Sequence, residues 1–196
     1  MLHITNHAIN HKLSGFQSLN TSVLNNEFCS KMRLTDSVCK LCYAASMEKR
    51  YSNLHNAISK NDNLLSSAPL NQRFIPVILS RAFRFHSLGE LINLQHLENL
   101  ASIASYNPNT YFTLWTKRKN IVNAYFKAGN IKPDNFSLIY SSPVINKIAI
   151  LPEHFDKVFT AHSKKTEAPI NCHSKCKDCM LCYSKNDVQY INEVVK

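Results

Sequence analysis

The chain has 196 residues, 44% of them apolar, which suffices for one domain with a proper core and removes any need for disulfide staples. Its seven cysteines are an odd number, so they cannot all pair within the chain. A formal charge of +10 makes nucleic acid a candidate partner, but the cations are scattered, with short clusters only at Arg81–Arg84, Lys117–Lys119 and Lys164–Lys165.

The first 28 residues are polar and rich in Asn, Ser and His, and no basic region followed by an apolar run opens the chain. The longest apolar stretch, around Phe74–Leu79, is too short for a bilayer. The expectation is therefore a protein without membrane contact in a reducing compartment, the cytoplasm, where clustered cysteines are more often metal ligands than disulfides. Phe16–Val23 alternates apolar and polar residues as a strand does. Cys29 follows, then Cys39-Lys-Leu-Cys42, and then a helix from Ala44 to about Ser66 with Met47, Tyr51, Leu54 and Ile58 on one face.

The middle of the chain alternates. Ala82–His86 reads as a strand ending in the turn Ser87-Leu-Gly89-Glu90, and Leu91–Tyr106 as an amphipathic helix stopped by Asn107-Pro-Asn. Tyr111–Trp115 is a second strand ending in Thr116-Lys117-Arg, followed by a helix over Asn120–Ala128 that Gly129 ends. Phe136–Tyr140, ending in Ser141-Ser142, is a third. Ile148–Leu151 is a candidate fourth, and Lys157–Ala161, ending in His162-Ser163, a fifth. This order predicts an α/β fold with parallel pairing, for which an open doubly wound sheet and a parallel-stranded partial (β/α) barrel both fit. The domain is expected over 1–170. A cysteine-rich, loop-rich tail is expected over 171–196, packed on the domain.

Ligands of such folds sit at the carboxyl ends of strands, here marked by Ser87, Gly89, Glu90, Thr116, Lys117, Ser141 and His162. Any one of these is more often solvated than functional. Gly89 is one of three glycines, and it permits positive φ or close approach of a ligand, with Glu90 placed to bind an amino group. An ordinary tight turn accounts for the pair equally well.

The cysteines carry the chemistry. Cys172, Cys176, Cys179 and Cys182 are spaced so that four thiolates can wrap one small polyhedral site, zinc or a four-iron cluster. Cys29, Cys39 and Cys42 are three, which leaves one coordination position open, as a reactive centre requires. Zinc completed by a histidine, or a ribbon in which Cys39 and Cys42 join late cysteines, are the alternatives. Of the histidines, His154, His162 and His173 lie near functional ends, and His173, inside the late block, is the strongest ligand candidate.

The order of "NEFCSKM…CKLCYA", "FRFHSLGEL", "YFTLWTKR" and "CHSKCKDCMLCY" resembles phage proteins of the "gene product eighty-eight" type, which are similar in turn to radical-SAM enzymes. The resemblance implies a barrel-like fold in a bacterial host's cytoplasm. It implies that Cys29, Cys39 and Cys42 hold a [4Fe-4S] cluster whose free iron binds S-adenosylmethionine. Ser87 to Glu90 would contact the methionine amino group, and Thr116, Lys117 and Ser141 would contact cofactor or substrate. Reductive cleavage would then give a 5′-deoxyadenosyl radical, and the late cysteines would hold a second cluster. A nucleotide or nucleic acid is the favoured substrate class. The competing expectations are a zinc-binding, basic nucleic-acid-binding protein and a phage protein that binds a host protein without catalysis.

Overall fold

The computed structural model describes residues 1–164 and 168–195. Seven strands form one sheet in sequential order: β1 (Ile4–Asn6), β2 (Gln17–Leu19), β3 (Ala82–Phe85), β4 (Tyr111–Thr116), β5 (Phe136–Ser141), β6 (Lys157–His162) and β7 (Tyr190–Val194). Only the β1–β2 pair is antiparallel; every later neighbour is parallel. Among the described residues six α-helices accompany them: α1 (Glu27–Met32), α2 (Tyr43–Arg50), α3 (Ser52–Ser66), α4 (Leu94–Tyr106), α5 (Lys119–Lys127) and α6 (Cys176–Cys179).

Right-handed crossovers between parallel strands that advance in one direction put their helices on one face. The core shows this. Phe83, Phe85, Phe112, Leu114, Phe136 and Leu138 point to the same face of their strands and are buried against Leu97, Leu100 and Ile103 of α4 and Ile121, Val122 and Tyr125 of α5. A doubly wound sheet would reverse its strand order and carry helices on both faces, so that alternative does not describe this chain. The opposite face presents Ala82, Trp115, Ile139 and Ile191, and the tail covers it with Cys182 and Tyr183 beside Leu13 and Phe16.

Several elements differ from the sequence reading. Ile148–Leu151 is not a strand: it runs along the surface, with Ile150 89% exposed, because no neighbouring edge is free to pair with it. The long helix after Cys42 is two helices, broken where Tyr51 takes an extended conformation. Helix α4 starts at Leu94 rather than Leu91, since the Asn93 side chain caps it by accepting from His96 N. The tail is not loop throughout, for β7 adds a parallel strand to the sheet. Of the basic cluster Lys164–Lys165, Lys165 lies outside the described residues.

Candidate metal and cofactor site

The segment after β2 organises the carboxyl ends of the strands. Asn20 is buried, and its carbonyl oxygen accepts from Ser87 N at 3.0 Å, Ser87 Oγ at 2.8 Å and Leu88 N at 3.0 Å. Its amide donates to Thr5 Oγ1 and Ser18 Oγ, each at 3.1 Å. Thr21 follows, and its backbone comes so close to Gly89 that a Cβ there would sit 2.2 Å from Thr21 Oγ1 and 2.6 Å from Thr21 O. Gly89 also holds φ +106°, a region that L side chains rarely enter. The packing of one strand-end loop on another accounts for this glycine.

Glu90 is 4% exposed, and its carboxylate is bound on both oxygens. Oε1 accepts from Leu91 N at 2.8 Å and Thr116 Oγ1 at 2.5 Å, and Oε2 accepts from Lys117 N at 2.8 Å. The residue thereby clamps the ends of β3 and β4 together. Two lone pairs on each oxygen leave Oε2 able to accept one more donor. Lys117 Nζ donates to Ser141 Oγ at 3.1 Å, extending the chain of contacts to the end of β5.

The early cysteines are fastened to this frame. Asn26 caps α1 by accepting from Phe28 N and Cys29 N, and its amide donates to Glu90 O at 3.1 Å. Nine residues separate Cys29 from Cys39; they complete α1 and turn into a short 3-10 segment, Val38–Leu41, that brings Cys39 and Cys42 back beside Cys29. That segment is pinned to the post-β5 loop by Val38 N donating to Pro143 O at 2.9 Å. Tyr43 OH donates to Ser87 O at 2.8 Å. Farther along α2, the buried Glu48 carboxylate accepts from Ser22 Oγ, from Val23 N at 2.9 Å and from Leu24 N at 3.3 Å, and contacts His55 Nδ1 at 2.7 Å.

The electrostatics match thiols that need a cation. Burial pushes the Cys29 thiol up to about 12, with Glu90 and Cys39 adding repulsion and Lys117 opposing it. Cys39 is raised by burial too, again opposed by Lys117. Without a metal these groups stay protonated at neutral pH, so metal loading must release protons.

The late cysteines form a separate site on the other face of the sheet. All four line one small cavity with Met180, Tyr183 and Ile191. Cys176 N donates to Lys12 O at 3.0 Å and Cys172 N to Asn192 O at 3.1 Å, which ties the segment to the β1–β2 connection and to β7. Lys12 Nζ donates to Cys172 Sγ at 3.1 Å and pairs with Glu193. Burial pushes the Cys182 and Cys176 thiols up.

Of the predicted residues, the structure joins Cys29, Cys39, Cys42, Ser87, Glu90, Thr116, Lys117 and Ser141 in one region, with Gly89 packed behind it. The candidate histidines lie elsewhere. His162 is buried against Asn192 at 3.1 Å, His154 stacks on Phe126, and His173 is exposed. Asn20, Asn26 and Glu48 were missed; an Asn or Glu in a polar stretch gives no sequence signal of such a task. Among the described residues, no three His, Cys, Asp or Glu side chains form a group able to hold one metal ion. The two groups are sets of sulfur donors, the chemistry that thiophilic metal takes, with Lys117 acting on the early thiols and Lys12 bonded to Cys172 in the late set.

These features define an α/β protein with one thiol group at the carboxyl ends of a parallel sheet and a second on the sheet face. The chain belongs to the gene product 88 family, whose profile matches residues 4–192, a span that includes all seven cysteines. No curated protein and no solved structure matches it. No described helix is long and apolar enough to cross a membrane.

Proposed function

We propose that this is an iron–sulfur protein of radical-SAM type, built on a partial barrel and working in the cytoplasm of a phage-infected bacterium. The observation that carries the reading is the fastening of the early cysteines over the ends of β2 to β5. In parallel α/β sheets that end is where ligands bind. Cys29, Cys39 and Cys42 would hold a [4Fe-4S] cluster with one open iron, and Cys172, Cys176, Cys179 and Cys182 a second, closed one. With S-adenosylmethionine bound, the open cluster supplies reductive cleavage of the sulfonium.

The chain's own residues position and enclose. The remaining lone pair on Glu90 Oε2 would be free to accept an N–H of the methionine amino group. Because its other contacts come from Leu91, Thr116 and Lys117, the carboxylate is held in place before the ligand arrives. Lys117 offers a cation between the thiols and Ser141, placed for a carboxylate or phosphate of cofactor or substrate. Substrate of the nucleotide class fits the basic composition.

A second reading has its own observation. Exposed Tyr43 and Tyr51 stand among exposed Lys40, Lys49 and Arg50 beside the early cysteines. Rings interleaved with cations are what single-stranded nucleic acid binds. In that reading zinc fills the thiol sites and a nucleic acid or host protein is the partner.

Iron, sulfide and zinc analysis of protein purified without air, followed by a deoxyadenosine assay with S-adenosylmethionine and reductant, decides. The expected result is both clusters present and deoxyadenosine formed, with formation abolished in Cys29→Ala while the second cluster persists. Unchanged cleavage in Cys29→Ala would sink the assignment. Zinc without sulfide, with salt-sensitive nucleic-acid binding, would put the second reading in its place.

A further inference from the structure

The amino ends of β4, β5 and β6 lie at the opposite end of the sheet from the early cysteines and frame an open cavity of about 830 Å³. That volume lies in the range of small-molecule sites. Tyr111, Ser137 and Lys157 line it from the strands, and Asn186 lines it from the segment that leads into β7.

Two of these side chains are buried with hydrogen-bonding capacity to spare. Lys157 is 3% exposed, and its Nζ donates to Asn186 Oδ1 and Val188 O, each at 2.7 Å. An ammonium has three N–H donors, and the third meets no acceptor among the described residues. No Asp or Glu among them forms an ion pair with Lys157. Asp156, next to it in sequence, is engaged elsewhere: both its oxygens accept from Lys132 Nζ at 2.9 Å, and one also accepts from Leu138 N at 2.7 Å. Burial lowers the Lys157 pKa from its ordinary value, and Cys182, Asp156 and Asp187 offset this only in part. Ser137 is 1% exposed, and its hydroxyl makes no hydrogen bond, although the Tyr111 hydroxyl stands near it. Lys157 is in register with Ile139, and Ser137 lies two residues before Ile139 on the adjacent strand, on the same face.

A buried cation without a counter-charge and a buried hydroxyl without a partner are both costly. One anion with two acceptor oxygens, reaching both, removes both costs. Leu151 and Phe155 also line the cavity and suit an apolar body. Asp134 and Asp187, exposed at the same cavity, repel a dianion more than a monoanion.

We propose that this cavity binds a small molecule carrying a single carboxylate on a compact apolar body, the carboxylate accepting from Lys157 Nζ and Ser137 Oγ. The site is independent of whatever metal the cysteines hold. Because Lys157 also holds Asn186 and Val188, the bound molecule fastens the segment entering β7 to β6.

The test is an NMR titration of the full chain, purified without air, with benzoate, phenyl phosphate and uncharged benzamide. Benzoate should bind tightest of the three. Lys157→Met should weaken its binding about tenfold or more, and Ser137→Ala about threefold. Ser137→Ala breaks no existing hydrogen bond, so its unfolding midpoint should match the parent's. Benzoate should also slow amide exchange at Val188, whose N–H donates to Asn186 Oδ1 at 3.0 Å. Should Lys157→Met fail to fold, Ser137→Ala decides by itself. Absent benzoate binding, benzamide binding as tightly as benzoate, or parental affinity in the variants overturns the site. Phenyl phosphate binding more tightly than benzoate overturns the assignment to a carboxylate.

Discussion

The two cysteine regions differ in the balance of forces that hold them: both use hydrogen bonds and apolar contacts, with packing heavier at the late one. The early one is suspended on hydrogen bonds: Asn20, Asn26, Glu90, Tyr43 and Val38 each tie a loop to a strand end. Its rim is exposed, with Leu41 86% accessible. The late one is held by packing, Cys182 and Tyr183 filling the sheet face beside Phe16, Trp115 and Ile191. Directional bonds fix geometry yet leave an opening, whereas apolar packing closes a site. Under the proposed function, that difference would suit three ligands with a vacant position on one side and four ligands on the other.

The sharpest way to break the early region is Gly89→Ala. The new Cβ meets Thr21 backbone and side chain and takes a φ of +106°. Strain and overpacking together should cost about 3 kcal/mol or more. The loss should appear in urea unfolding, and disturbed anaerobic iron binding by the early cysteines should accompany it. A variant as stable as the parent would show that the contact between the two strand-end loops does not hold the frame. Glu90→Gln comes next. It keeps one acceptor oxygen but turns an amide NH2 toward the Thr116 hydroxyl or the Lys117 N–H, leaving a buried donor unsatisfied. About 2 kcal/mol is expected from urea midpoints. A loss below about 0.5 kcal/mol would mean the clamp between β3 and β4 is redundant.

How far the sequence showed this comparison in advance depends on the force involved. Strands β3 to β6 were legible because Phe83, Phe85, Phe112 and Phe136 alternate with residues of the other face. The thiol groups were legible because cysteine spacing is a local property. Glu90, Thr116, Lys117 and Ser141 were legible as strand-end residues, although the clamp they form arises only when strands become neighbours. Asn20 and Thr21 were not, since their partners Ser87 and Gly89 lie far along the chain and no periodicity marks a polar loop. Strand β7 was hidden behind the cysteine run, and Tyr190 to Val194, two apolar then two polar residues before the valine, does not alternate; β1, with three residues, is too short to give a pattern. The helix break at Tyr51 and the late start of α4 are cap effects, decided by single backbone conformations.

Lys12→Met gives the smallest expected effect and sharpens the contrast most. It removes the ion pair with Glu193 and the hydrogen bond to Cys172 Sγ, while the Lys12 carbonyl still accepts from Cys176 N. The side chains of the pair are 36% and 29% exposed, so water screens their attraction and about 0.5–1 kcal/mol is all it should contribute. Global unfolding by urea should therefore barely move. The local effect is read at Cys172, whose alkylation in the metal-free chain should slow, because Lys12 favours its thiolate while burial and Glu193 oppose it, and Cys182, buried against Tyr183 and Ile191, should keep its rate. Faster modification of both cysteines would mean that polar contacts, rather than the packing of the tail on Trp115 and Phe16, close the late site. The two regions would then be held alike.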